Sequence, residues 1–444
     1  MNDIYTSAKD VTDIILDLEK KQGLLEWKID GVFVWQAARA DIYTSILDLG
    51  ISHKANSNRE TFFKKLKIYY KRFIINSLFY NPFLDFNKSN ALVFESGRKY
   101  LVDDKYIDIY TRYLCEDLEQ DSIPYSKYST NYLFDSVEPR SFKVRHLDFI
   151  YIASRILSKL IKVTISEHDI EKLQFIEKEI NTSLRVRIDL ITIIINEIKR
   201  FKSQYPFYKI LFRLKKASKI YLVNSSDKAP MIKAAKDENI IVNELQHGLI
   251  SKEGLIANFP DTTEDSLEYF PQKFFVWEDL NMCTCKLPLS KANIVNVKNK
   301  HLQYMLKKNQ NISRKDTQML IISQPYLSIE IFKFIIANIE EMKSWQFIYK
   351  LHPAEDHNFI SNISFYKYSL YDNLSIVSNN QSIYRLFSES KYVLGVFSTA
   401  VFEAHYFGCK TLLLNLPGVE MAYSLIKSGK AVIVNTNDRL AKIV

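Results

Sequence analysis

A chain of 444 residues that is 47% apolar has material for two or three packed domains, each with a sizeable core. Ten glycines exclude low-complexity sequence and long flexible linkers, and four scattered cysteines (Cys115, Cys283, Cys285, Cys409) exclude a disulfide framework. The excess of 60 basic over 51 acidic residues is moderate, Met1 to Asp10 is largely polar, and no uncharged apolar run reaches 18 residues, so the expected location is the cytoplasm.

Taken in order, Asp10 to Lys21 carries apolar residues at helical spacing, Val11, Ile14, Ile15 and Leu18. Gly31 to Trp35 reads as a short strand leading into a helix, with Trp35 and Arg39 filling the core. Phe62 to Phe73, FFKKLKIYYKRF, interleaves Lys64, Lys65, Lys67, Lys71 and Arg72 with aromatics and runs on through IINSLFYNPF to Phe83. Two readings stand: a helix with one face in the core and its lysines solvated, or contact with an anionic membrane surface. No signature of an RNA- or DNA-binding module accompanies it, so nucleic acid is not an expected partner.

Ala91 to Phe94 is a compact apolar run ending in Glu95-Ser96-Gly97-Arg98, the predicted first strand of a nucleotide-type domain. Asp103, Asp104 and Asp108 follow and read as solvated carboxylates. The middle is helical over Ala153 to Lys162, Asp169 to Ile180 and Val186 to Phe201, as an insertion or a helical layer. Alternation resumes with a strand at Ala217 to Val223, a helix at Ala229 to Asp237 and a strand at Ile240 to Val242. The last strand delivers Gln246-His247-Gly248. A histidine at a strand's carboxyl end is poorly explained by core packing, and a neutral imidazole there can take a hydroxyl proton near pH 7.

Phe259 to Pro271, acidic and with two prolines, reads as an interdomain connection. Short apolar runs follow at Phe274 to Glu278, Ile294 to Val297, Met319 to Ile322, Gln346 to Leu351, Leu374 to Val377, Tyr392 to Val396 and Thr411 to Leu414. Alternation with helical segments predicts parallel sheets, whose ligands bind beyond the carboxyl ends of the strands. Two polar clusters sit at such ends: Lys350-Leu351-His352-Pro353 and Phe397-Ser398-Thr399-Ala400-Val401-Phe402-Glu403-Ala404. Ser398 and Thr399 fall where a helix begins, a place with unpaired N–H groups and partial positive charge suited to an anion.

The order QHG, KLHP, FSTAVFEA resembles bacterial GT-B glycosyltransferases of capsule and O-antigen synthesis. It is more distantly similar to CDP-glycerol glycerophosphotransferases and to HP-motif sialyl- and Kdo-transferases. The likeness spans roughly Lys219 to Val434; the first 200 residues match no family pattern. It implies an α/β GT-B fold, two Rossmann-like domains facing a central cleft, with extra helices in the N-terminal one. Residues 1–265 would form the acceptor-side domain and 266–444 the nucleotide-sugar domain.

The resemblance further implies sugar transfer from a nucleotide-sugar donor to a glycan or lipid-linked glycan acceptor of a surface polysaccharide, at the inner face of the plasma membrane. His247 would be the general base. Gly248, Lys350, His352, Pro353, Ser398, Thr399 and Glu403 would bind the donor, the glutamate through ribose hydroxyls. If the enzyme retains configuration, His247 binds substrate instead. There is no Asp-x-Asp triplet, Walker A loop or GxGxxG, so neither metal nor cofactor is expected. A glycerophosphotransferase, a nucleotide-sugar 2-epimerase and a non-catalytic binding protein are the alternatives.

Overall fold

In the computed structural model the described residues are 7–51, 71–97, 99–102, 105–129, 144–278, 283–325, 327–352, 355, 371–378 and 381–444. Two parallel sheets organise them. The first holds β1 (Ala91–Phe94), β2 (Tyr125–Ser129), β3 (Val144–His146), β4 (Lys219–Val223), β5 (Ile241–Leu245), β6 (Lys273–Trp277) and β7 (Ile294–Val297). The second holds β8 (Lys315–Ile322), β9 (Gln346–Lys350), β10 (Leu374–Val377), β11 (Ser390–Gly395), β12 (Lys410–Leu414) and β13 (Ala431–Val434).

Their spatial orders are 3-2-1-4-5-6-7 and 10-9-8-11-12-13, and every pair in both sheets is parallel. Each is the doubly wound order, with its switch point between β1 and β4 in one sheet and between β8 and β11 in the other. The chain is α/β with two Rossmann-like domains, the GT-B arrangement. A strand covered on both faces needs a near-continuous apolar run, as in the fully buried β1, whereas β2 and β3 carry no such run and were not predicted.

One boundary is corrected. The N-terminal domain does not end at 265: β6 pairs with β5 and β7 with β6, so the first sheet runs to Val297. The stretch Phe259 to Pro271 is no free connector either. Phe259, Leu267 and Phe270 are buried with Phe274 and Val276 in one apolar cluster. The crossing to the second domain lies beyond Val297, where Leu302 and Met305 of helix Lys300–Asn309 already belong to the C-terminal core.

The extra helices form a bundle of their own. Helices Ala8–Gln22, Val34–Ile51 and Glu167–Leu184 share an apolar cluster with the first half of the long helix Leu190–Lys215. The second half of that helix supplies Tyr208, Leu211 and Phe212 to the core beneath β1 and β4. The helical middle is thus a layer of the N-terminal domain, and one helix spans both cores.

Trp35 and Arg39 are buried, but they meet through a third residue. Trp35 Nε1 donates to Glu19 Oε1 at 2.7 Å, and Arg39 grips both Glu19 oxygens at 2.6 and 3.0 Å. The same guanidinium donates to the carbonyls of Leu255 and Asn258 and lies 3.9 Å over the Phe259 ring. It therefore ties the helical bundle to the loop that follows Gln246-His247-Gly248.

Two further expectations change. Asp108 is not solvated: it is buried and accepts from Ser96 N and Oγ at 2.6 and 2.7 Å and from Tyr110 N and Thr111 N at 3.0 and 3.2 Å. Burial, and then the nearby Glu95 charge, push its carboxyl up. Asp103 and Asp104 lie outside the described residues. The stretch after Phe73 divides: Tyr80 is buried and Phe83 packs against the core, while Leu78 and Phe79 are exposed.

Candidate functional site

At the carboxyl end of β5, Gln246 builds the turn. Its side chain donates to Gly248 O at 2.9 Å and accepts from Trp277 N at 2.7 Å, holding the turn against the end of β6. His247 is half-buried there, with the Tyr110 ring edge-on at 6.3 Å between centroids. Tyr110 in turn lies nearly parallel to Trp277 at 6.3 Å. The Asp108 hydrogen bonds fix the backbone of Tyr110, so the end of β1 and the end of β5 share one aromatic wall.

At the carboxyl end of β11, the chain turns into helix Thr399–Tyr406. Ser398 is its N-cap: with extended backbone (φ −64°, ψ 147°), its hydroxyl accepts from Ala400 N at 3.3 Å. Gly395 is needed beneath it. A Cβ there would stand 2.6 Å from Val401 Cγ1, so only glycine lets the helix lie this close to the strand. Gly395→Ala is expected to lower stability by about 1–3 kcal/mol through overpacking. A melting temperature equal to the parent's would show that the helix shifts freely.

The two ends meet. A Cβ on Gly248 would lie 3.3 Å from Thr399 Oγ1, so the QHG turn of the first domain abuts the helix start of the second. One turn along that helix, Glu403 is buried beside Tyr384. Burial raises its carboxyl to about 8, against the opposing effect of the Tyr384 hydroxyl. Tyr384 is itself flanked by the buried His301 at 5.3 Å between ring centroids. The His301 Nδ1 lies 3.4 Å from the Tyr113 hydroxyl of the first domain. Burial and the Arg112 charge hold this imidazole down at about 4, hence neutral.

His352 lies two strands from Ser398. Lys350, Ile322 and Gly395 are near-neighbours across β9, β8 and β11, so the strand ends that lead to His352 and Ser398 are about 10 Å apart, two inter-strand spacings. The His352 N–H donates to Glu355 Oε2 at 2.8 Å, and Glu355 N returns a bond to His352 O at 2.8 Å. Lys350 is buried, with its ammonium directed at the Ser378 carbonyl at 3.0 Å, and burial lowers it to about 8. It fastens the ends of β9 and β10 to each other. Pro353 lies outside the described residues.

Lys64, Lys65 and Lys67 lie outside the described residues, and Lys71 and Arg72 open the helical turn Lys71–Asn76, whose first side chains are not described. That turn is tied through Asn76 to Asp148, just past β3 at the far edge of the first sheet, four strand spacings or about 19 Å from β5. Sequence reasoning missed Tyr110, Trp277, Tyr384 and Glu355. Tyr110, Trp277 and Tyr384 come from parts of the chain away from the motif residues they meet, and no local pattern marks them; Glu355 stands only three residues after His352, and its part shows once the His352 N–H is seen donating to it.

No family model and no curated protein matches the sequence. Solved structures are similar at low identity. The UDP-GlcNAc 2-epimerase from Methanocaldococcus jannaschii is 11% identical with a TM-score of 0.47, over 78% of this chain and 89% of that one. The enzyme of the same name from Neisseria meningitidis, bound to UDP-GlcNAc, is 15% identical with a TM-score of 0.44, over 78% and 87%. Acinetobacter baumannii MurG is 11% identical with a TM-score of 0.41, over 78% and 86%. Values this low transfer no activity.

Proposed function

We propose that the chain is a glycosyltransferase that moves a sugar from a nucleotide-sugar donor to a hydroxyl of a surface-polysaccharide acceptor. The observation that carries this is the approach of Gly248 to Thr399, which sets a candidate base from one domain beside an anion-binding helix start from the other. The donor phosphates lie at Ser398, Thr399 and the first turn of their helix, and the ribose hydroxyls donate to Glu403. His247 takes the proton of the acceptor hydroxyl as its oxygen bonds to the anomeric carbon. The bond from that carbon to the phosphate oxygen breaks, and the nucleotide leaves with the electron pair. The helix start and His352 offset the charge it gains.

The test is a thermal-shift panel of CMP, CDP, UDP, GDP and dTDP, since a ligand bound by the native state alone raises the midpoint. One nucleotide is expected to raise it, and Glu403→Ala to remove the rise. A flat panel would overturn the reading. Turnover of donor to a C2 epimer without acceptor would replace it with the epimerase alternative.

The Glu403 shift sets a pH dependence. The ordinary carboxyl value is 4.5 and the folded value about 8, so near neutral pH the empty site holds a proton. Two donated ribose hydrogen bonds favour the ionised form, so binding must expel that proton. Nucleotide affinity is therefore expected to fall as pH drops below about 8, by up to ~10-fold per unit. Titration calorimetry in two buffers of different ionisation heat reads the released proton; affinity that is flat from pH 6 to 8.5 would remove Glu403 from the ribose.

A further inference from the structure

An apolar surface lies at the edge of the first sheet farthest from His247. Leu78 is 59% exposed, Phe79 60%, Leu84 49% and Phe86 80%. Four large apolar side chains within nine residues, each about half exposed or more, form no part of a core, and a patch of this kind marks an interaction surface. The segment is held rigidly from beneath. Tyr80 O accepts from His146 N at 2.8 Å, Phe83 meets Phe149 edge-on at 5.8 Å, and the buried Lys215 pairs with Asp85 at 2.6 Å.

Charge selects the partner. The adjoining helix Asp148–Ser158 exposes Ile156, with Leu160 just beyond its end, among Arg155, Lys159 and Lys162. Lys88 is exposed beyond Phe86, and Arg145 donates to Phe79 O. Between residues 71 and 90 and between 144 and 165 the sequence has only two acids, Asp85 and Asp148. The first is paired with Lys215, and the second is buried and accepts from Asn76 at 2.8 Å. Exposed aromatic and aliphatic side chains on two adjoining stretches that carry bases and, among their described residues, no outward carboxylate suit the boundary between anionic headgroups and acyl chains.

We infer that this face docks the protein on an anionic lipid bilayer, with Leu78, Phe79, Leu84 and Phe86 entering the interface. The inference stands apart from glycosyl transfer, because it concerns the protein's own surface and is read without donor or acceptor.

The experiment is flotation of the full chain with vesicles of phosphatidylcholine containing a quarter phosphatidylglycerol, against vesicles of phosphatidylcholine alone. The protein is expected to float with the first and not with the second. The triple variant Leu78→Ser, Phe79→Ser, Phe86→Ser is expected to lose about tenfold or more in partitioning at an unchanged melting temperature. A second variant, Lys159→Gln with Lys162→Gln, leaves the apolar residues in place and is expected to weaken binding with a flatter salt dependence. Absence of the wild type from anionic vesicles, or equal flotation of the folded triple variant, would overturn the inference. So would a dimer in light scattering that the triple variant abolishes, because a second copy would then be the occupant.

Discussion

His247→Ala is expected to lower the transfer rate by about 10²–10⁴-fold, the usual cost of removing a general base. The melting temperature and the nucleotide-induced shift should stay as in the parent. The separation follows from placement: His247 belongs to the first domain, whereas Ser398, Thr399 and Glu403 belong to the second. The turn is held by Gln246 through Gly248 O and Trp277 N. Turnover near the parent value would show that the side chain lines the cleft without moving a proton. A lost nucleotide shift would instead show that the two ends form one inseparable site.

Arg39→Ala carries the largest expected effect on stability, a loss of about 3–5 kcal/mol, because it leaves Glu19 buried without its countercharge. The loop carbonyls of Leu255 and Asn258 lose their donor at the same time. Arg39→Lys is expected to recover only part of this, since an ammonium cannot reach both Glu19 oxygens and two loop carbonyls in one plane. Denaturant melts of the two variants check both statements; a change below about 1 kcal/mol for the alanine variant would mean that water replaces the guanidinium at little cost.

What was legible in the chain was local. β7 and β10 matched their predicted runs to the residue although both are edge strands, only partly buried and carrying Asn296 and Ser375, because aliphatic and β-branched residues dominate each run. β2, Tyr-Ser-Lys-Tyr-Ser, was not legible. Its polarity is accommodated by partners elsewhere, such as Ser126 against Ser89 and Lys127 on Glu95. The interdomain boundary was misread because prolines and acids outweighed Phe259, Leu267 and Phe270, whose burial depends on strands distant in sequence. Asp108 was misread for the same reason. A loop carboxylate looks solvated until the chain that folds around it supplies three backbone N–H groups and the Ser96 hydroxyl. Gln246-His247-Gly248 and the Ser398-Thr399 helix start were legible as strand ends, but their approach to each other was a matter of tertiary geometry.

The order of strands has a consequence for how the chain comes off the ribosome. In each sheet the first strand made becomes a central one, and its second neighbour arrives late: Ala91 pairs with Lys219, and Met319 with Tyr392. While that neighbour is unsynthesised, β1 has a bare edge, and Leu92 and Phe94 await Leu211 and Phe212, whereas Ala91 and Val93 are met by the earlier Cys115 and Leu118. The entropy of closing the longer loop exceeds that of the shorter by only about 0.5 kcal/mol, so ring size is not the hazard. The hazard is time, because synthesis proceeds at roughly 5–20 residues per second. Helix Leu190–Lys215 is the last element made before β4, and it carries Leu211 and Phe212 to the underside of β1. The nascent N-terminal domain thus gains a lid over its exposed strand just before the strand's true partner emerges. A chain stalled shortly before Leu190 should be markedly more prone to aggregate than one stalled shortly after Val223.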